Sequence, residues 1–444
     1  MSNHESSDRK ICRESEQGKS VGLPTDPHRR NLLSAAVSTG SALVMTSMVA
    51  QAQASDPLPI PQWTKTLGDP VLKNPYGLPS PFEKAIIRRE TLAADMPGGY
   101  NFPTPHSYWS TTPLQDLRGT ITPNGLFYER HHAGVPAVEP SEHRLVVHGL
   151  VKRELIFTMD QLRRLPTVSS FHFLECSGNG DMVTEGKFGK NVADIHGLLS
   201  CAQWTGVKLS TLLEEAGVEK DKARYVLAEG ADSAAMLRTI PFQRAMDECI
   251  VVYAQNGENL RPEQGYPVRL LVPGCEGNLN IKWLRRLEVT DNPAFSREET
   301  SKYSDLTGPD GMAHKSTLIM EAKSVITFPS GGQELPEAGY YQIRGIAWTG
   351  RGKITGVDVS MDGGKNWEPA NLTQPVLSKC LTEFTLPWRW DKTSAVLMSR
   401  ATDETGYVQP FIEQLFTARG KYFLYHNNAI QPWLVQSDGS VVYG

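Results

Sequence analysis

The sequence predicts an α+β domain followed by an all-β sandwich. Three observations point there. From His143 to about Thr290, short apolar runs such as "HRLVVHGLV", "VSSFHFLEC", "ARYVLAEG" and "YPVRLLVPG" read as strands, and brief helical patterns lie among them. After a polar, turn-rich stretch the helix signal nearly vanishes, and short strand runs follow at close spacing. Pro and Gly are frequent, at 30 and 38 of 444 residues, which suits a loop-rich β-containing chain rather than a helical bundle.

The elements follow in order. Residues 1–54 read as a signal peptide. "DPHRRNLLSAAVSTGSALVMTSMVAQAQA" carries the pair Arg29 and Arg30, a weakly apolar run, and an A-x-A ending at Ala52 to Ala54. Its weak hydrophobicity favours a twin-arginine route, with export of a folded protein to the periplasm and no membrane span after processing. Residues 55–118 are proline-rich and read as an extended arm. Residues 119–292 form the α+β domain. Within it "MDQLRRLP" is a helix stopped by Pro166, and "STLLEEAG" is a helix stopped by Gly217. Along "VSSFHFLEC", Phe171 and Phe173 take one face and His172, Leu174 and Cys176 the other. Residues 293–315 are the linker and 316–444 the sandwich, where Asp362-Gly363 in "SMDGGKNW" marks a hairpin.

Charge and cysteines narrow the function. A formal charge of −4 gives no argument for nucleic acid as a partner. Loss of the signal would remove Cys12 and leave Cys176, Cys201, Cys249, Cys275 and Cys380. An odd, widely spaced set is a poor disulfide framework. The sequence has no C-x-x-C and no C-x-x-C-H, so no zinc cluster or c-type haem on this chain is expected.

Cys176 ends an apolar strand and opens into Ser177-Gly178-Asn179-Gly180. Three readings compete. It is a buried thiol, a nucleophile served by His172, or a thiolate ligand to a soft metal held mainly by a cofactor. Four strand positions separate His172 from Cys176 by over ~10 Å, so the two cannot form a catalytic pair alone. The glycines would let backbone approach a bulky group closely.

"LECSGNG" resembles the cysteine motif of the sulfite oxidase family of molybdenum enzymes. Four further stretches resemble that family in the same order: "LFYERHHAGVP", "AEGAD", "EQGYPVRLLVPGCEGNLNIKWLRRLEV" and "RGIAWTGRGKITGVDVSMDGGKNW". The resemblance runs from about residue 120 to the C-terminus. It implies a molybdopterin-binding domain and an immunoglobulin-like dimerisation sandwich. Cys176 is then the thiolate ligand of a molybdenum–molybdopterin cofactor, which suits a soft metal. Arg130, His131, His132, Asp232, Gln264, Arg269, Asn280 and Lys282 are the implied cofactor contacts. An arginine inside the apolar run of Arg269 is costly unless paired, which agrees. Arg130, Tyr303 and Arg419 are the implied catalytic residues.

The family reaction is two-electron oxidation at sulfur. Where sulfite oxidases carry arginines directly after the asparagine of the cysteine motif, this chain has Gly180 and Asp181, and Gln264 stands at a usual histidine position. "ERHH" and "CSGNG" resemble the thiosulfate-oxidising branch of the family. That likeness implies sulfane sulfur on a carrier-protein cysteine as substrate, and a dihaem c-type cytochrome subunit as acceptor. It also implies a homodimer through the sandwich, or an α2β2 assembly with the cytochrome. The alternative is a free sulfite dehydrogenase donating to cytochrome c.

Overall fold

The computed structural model describes residues 61–67, 75–90, 104–181, 190–305, 312, 314–315, 318–421 and 423–444. Arg29, Arg30 and the A-x-A site lie outside them. The chain divides into two units, 1–77 and 78–444. In the first, the described residues form one 3-10 turn, Gln62–Lys65. The rest concerns the second unit.

Two sheets build its α+β half. In one, Thr167–Glu175 pairs with Leu199–Lys208, which pairs with Ile250–Gln255; Glu258–Asn259 and Arg269–Leu271 both join the last of these. In the other, the order is Leu155–Phe157, Leu145–Gly149, Leu284–Thr290, Tyr225–Gly230, Leu237–Pro241. Only the Leu145–Gly149/Leu284–Thr290 pair is parallel. Val207, Val251 and Leu270 of the first sheet share one core with Leu145, Val226 and Leu287 of the second.

Short helices close that core. Met159–Arg164 starts in a capping box between Thr158 and Gln161, and ends before Pro166, which biases Leu165 to extended backbone. Leu209–Glu215 buries Leu209, Leu212 and Leu213 and gives way to Gly217 at φ +70°.

The C-terminal half is two antiparallel sheets. Lys323–Phe328, Gly339–Trp348, Thr382–Trp390 and Asn371–Leu372 form one. Glu368–Pro369, Ile354–Ser360, Ala395–Asp403, Trp433–Val435 and Val441–Tyr443 form the other. Alternate residues of Ala395–Asp403 are buried, as a pleated strand with one inward face requires. The expected hairpin at Asp362 is present, but its loop spans 361–367 rather than two residues. The Asp362 carboxylate organises it by accepting from the amides of Lys365 and Asn366.

Four details of the packing go beyond the sequence reading. Phe171 is 37% exposed, because only Phe173 of that face reaches the core. Phe173, Leu199 and Cys201 pack in one cluster with Val325, Trp348 and Trp433, so the α+β half and the sandwich share a core. The tail of the proline-rich arm is a strand, Tyr108–Thr111, paired with Glu129–His131. The stretch read as linker packs tightly over its described residues. Arg297–Thr300 is a helical turn, Ser296 Oγ donates to Leu237 O, and the Arg238 guanidinium donates to Glu298 O.

Candidate active site

Strand ends and loops of the α+β half surround a cleft. Cys176 opens onto it where Thr167–Glu175 ends. The cysteine's backbone is fixed on both sides: its N–H donates to Leu198 O at 3.0 Å, and its carbonyl accepts from Asn179 N–H at 3.0 Å. Gly180 sits at φ +92°, where a side chain would be strained. Gly277 lets a second loop approach. A Cβ there would stand 2.9 Å from Glu175 O and 3.3 Å from Cys176 Cα.

Every site residue implied by the family resemblance lines this cleft except Arg419. Arg130 comes from the Glu129–His131 strand. Its guanidinium donates to His131 O, reaches Ser107 Oγ at 3.5 Å, and lies 5.6 Å from the centre of the Trp109 ring. Adjacent His131 and His132 point apart, as strand alternation demands. His131 contacts Glu129 at 2.7 Å and Lys282 Nζ at 3.0 Å. His132 shares a 3.3 Å hydrogen bond with the Tyr303 hydroxyl. Burial and the Arg130 charge hold His132 neutral, down at about 2; burial also lowers His131, against the pull of Glu129.

Arg269 and Lys282 form the cationic end. Arg269 is 3% exposed and donates to the carbonyls of Gln264 and Asn280 at 3.0 and 3.1 Å. Lys282 Nζ donates to the carbonyls of Arg130 and Glu263 at 3.0 and 3.1 Å. Among the described residues neither makes an ion pair with a carboxylate, and Arg269 Nε has no hydrogen-bond partner. Burial and then the Arg269 charge push the Lys282 amine down to about 7, and burial pushes Arg269 down to about 10. Asp232 lines the cleft on the loop after Tyr225–Gly230, its carboxyl raised by burial. Gln264 Nε2 donates to Tyr128 O at 2.9 Å. Asn280 spends its amide on Val272 N–H and Glu276 O, so it shapes the loop.

Tyr303 is 7% exposed at φ +54°, with its ring over the Arg238 guanidinium at 5.0 Å and 5.2 Å from the Tyr425 ring. Burial, with the Cys176 sulfur adding, raises its phenol, so the O–H keeps its proton at neutral pH. Arg419 lies apart. It ends the Ile412–Arg419 helix, and its guanidinium binds Glu321 at 2.7 Å and the His426 carbonyl at 2.8 Å. Its charge is matched by Glu321 rather than presented to the cleft. His172 does not line the cleft either. It contacts Lys379 O at 3.4 Å, and burial lowers it to about 4, which removes the Cys–His pair.

Sequence reasoning missed several supports. Glu175, the residue before Cys176, pairs with Lys323 at 2.9 Å, both side chains 1% exposed. Glu175 also accepts from Asn179 Nδ2 and Trp348 Nε1 at 2.9 and 2.6 Å. The sandwich therefore holds the loop that carries the thiol. Arg238, fully buried, backs Tyr303. The argument that singled out Arg269, a charge inside an apolar run, applies equally to Arg238 in "MLRTIP" and Lys323 in "AKSVITF".

These residues fit a phosphate-bearing pterin that carries a soft metal. Buried cations without carboxylates await an anion, and an orphaned guanidinium nitrogen awaits an acceptor. Burial pushes the Cys176 thiol up to about 11, opposed by the Gly178 amide and Arg130. A bound metal takes such a sulfur as the thiolate.

Comparison with known proteins agrees. The family described as "Oxidoreductase molybdopterin binding domain" matches residues 132–298, and "Mo-co oxidoreductase dimerisation domain" matches 314–432. Mitochondrial sulfite oxidase of Drosophila melanogaster is 33% identical over 271 residues, covering 57% of this chain and 47% of that protein. Human sulfite oxidase is 34% identical over 57% of this chain and 49% of its own length. The NADH nitrate reductase of Solanum lycopersicum is 34% identical over 69% of this chain and 38% of that protein. The chain thus spans about half the length, or less, of these curated relatives. The crystal structure of the sulfane dehydrogenase SoxCD from Paracoccus pantotrophus superposes with a TM-score of 0.82 at 44% identity, covering 86% of this chain and 97% of that one. With a cation-lined cleft around one cysteine, a following β-sandwich and these matches, the chain belongs to the sulfite oxidase family of molybdenum oxidoreductases.

Proposed function

We propose that this protein oxidises sulfane sulfur carried on a partner protein's cysteine, in periplasmic thiosulfate oxidation, and passes the electrons to a c-type cytochrome subunit. The observation that carries the reading is the charge beside Cys176. Gly180 and Asp181 follow the motif, and the Asp181 carboxylate acts on both Arg130 and the Cys176 sulfur. A site for a small free oxyanion would place cations there. The 44% identity to a sulfane dehydrogenase supports the same choice. Export by the twin-arginine route and a homodimer through the sandwich belong to this proposal.

The chain's own residues divide the work. A bound molybdenum–molybdopterin group would supply the two-electron oxidation. Cys176 would hold it as its protein ligand, and Arg269 and Lys282 would neutralise its phosphate. Arg130, pinned by the His131 carbonyl and Trp109, offers positive charge to an anionic sulfur. Tyr303 keeps a proton on its phenol oxygen and shares it with neutral His132, so it can donate a hydrogen bond to bound substrate. A low-dielectric cleft strengthens both interactions.

The second reading is free sulfite oxidation, favoured by Arg130 and by the sulfite oxidases among the relatives. The test is kcat/KM for sulfite and for a persulfidated carrier protein, in wild type and Asp181→Arg. The carrier should be the better wild-type substrate. Asp181→Arg should raise the sulfite value several-fold and lower the carrier value, since it changes local charge by two and fills space. A wild type that prefers free sulfite makes the second reading correct.

A further inference from the structure

Cys201 and Cys380 are 179 positions apart in sequence, yet their sulfurs are 3.3 Å apart. That is within the reach of a thiol–thiol hydrogen bond and longer than a covalent S–S bond of about 2.05 Å. Cys201 lies on the Leu199–Lys208 strand of the α+β half. Cys380 lies in the loop entering the Thr382–Trp390 strand of the sandwich. Both are buried, at 0% and 1% exposure, and both are free thiols.

Backbone contacts on both sides hold the pair in place. The Cys201 amide donates to Thr122 Oγ1 at 3.2 Å, and its carbonyl accepts from Thr122 N–H at 2.8 Å. Cys201 faces Phe173 across the sheet, and the Phe173 amide crosses to Lys379 O at 3.2 Å. Lys379, just before Cys380, sits at φ +53°. Its amide donates to Gly352 O at 2.7 Å, and its ammonium pairs with Glu248 at 2.6 Å. The sandwich loop is thus tied to the α+β sheet directly beside the two sulfurs.

We propose that Cys201 and Cys380 close into a disulfide that joins the two halves covalently. The oxidant is an external disulfide, either small-molecule or of the dithiol–disulfide oxidoreductase class. One protein thiolate attacks it, forms a mixed disulfide and releases one thiol. The second protein thiolate then attacks the protein sulfur of that mixed disulfide and releases the other thiol. Two S–H bonds and the oxidant's S–S bond become one protein S–S bond and two S–H bonds, and two electrons pass to the oxidant. The sulfurs must approach from 3.3 Å to about 2.05 Å, a movement that two side chains can share. Exchange reaches these buried sulfurs while the interface is open, during folding or transient opening. Cys249 and Cys275, equally buried, serve as internal controls.

The test uses the full-length chain in glutathione buffers of stepped redox potential. One sample is held native; a second is unfolded and refolded in the same buffer, so that burial is no barrier. Both are quenched with iodoacetamide, digested and mapped by mass spectrometry. The expected result, in either sample, is one peptide pair joined through Cys201 and Cys380, with Cys249 and Cys275 alkylated. Wild type should then melt higher oxidised than reduced, and Cys201→Ser with Cys380→Ser should lose that difference. Alkylation of Cys201 and Cys380 in every buffer in both samples overturns the proposal. So does capture of either only by glutathione or by another cysteine.

Discussion

Charge is buried in two places in this protein, and the two treat it differently. At the junction between the halves, buried and half-buried charges meet opposite ones. Lys323 meets Glu175, and Arg419 and Arg351 meet Glu321. Burial alone would raise the Glu321 carboxyl, yet His426, Arg419 and Arg351 hold it down at about 2. In the cleft, among the described residues, Arg269 and Lys282 hydrogen-bond carbonyl oxygens and a histidine nitrogen and lie over tryptophan rings, without a carboxylate partner, and the Lys282 amine is driven down to about 7. Buried charge matched within the protein belongs to the framework. Buried charge left unmatched marks the place of an anionic ligand.

The largest effect expected on either side is at the thiol. Cys176→Ser should abolish turnover, because a hydroxyl is a poor replacement for a soft thiolate. Steady-state assay beside molybdenum analysis checks it, and full activity would remove Cys176 from the centre. Next is Lys323→Met, which strands Glu175 in a dry site. A loss of about 3–5 kcal/mol in stability is expected, with most of it regained in Glu175→Gln combined with Lys323→Met. Denaturant unfolding of the four proteins measures this. If the double variant is no better than the single, the pair is not a matched framework pair.

Arg269→Met should behave in the opposite way. The fold should hold or gain stability without cofactor, while pterin retention weakens by about 1.5–3 kcal/mol, roughly ten- to a hundredfold. Fluorescence of released pterin reads this out.

Lys282 adds a pH signature. Its folded value, near 7, lies below the ordinary lysine value of 10.5, so between them the unfolded chain binds more protons. Cofactor-free protein should therefore gain stability as pH rises from about 7 towards 10.5. The neighbours that set this are Arg269, Glu129, Asp232, Arg130 and His131. Lys282→Met should flatten the gain, and so should bound pterin, whose phosphate would restore the charged amine. Equal slopes in wild type and variant would contradict the assignment.

The smallest effect is expected at Arg419. With its charge matched by Glu321, Arg419→Met should cost about 1 kcal/mol of stability and change kcat/KM for sulfite by less than about threefold. A large loss of activity with stability intact would return Arg419 to the site.

The cleft residues were legible through motifs that resemble one family, and some carry a local signal as well. Cys176 stands before a run of small residues, Arg269 interrupts an apolar run, and the two histidines follow an arginine on one short strand. Arg238 and Lys323 carry the same signal as Arg269 but have no motif around them, so only their partners in space give them meaning. How the arm and the linker pack was not legible for a related reason. Tyr108–Thr111 has little periodicity of its own and is a strand because Glu129–His131 offers it an edge. Tyr303 is buried because the loop that carries it packs against Arg238.

The sequence by itself determined the α+β-then-β order, and its motifs, through their resemblance to the sulfite oxidase family, singled out Cys176 and the cations of the cleft. The order depends on periodicity and turn chemistry, and the motifs are short runs, so both act over a few residues. The tertiary structure alone decided which charges are matched, that Arg419 turns to Glu321, and that Cys201 meets Cys380 across 179 positions. Such pairings depend on how two sheets and a sandwich pack into a shared core, and no spacing along the chain encodes a distance across it.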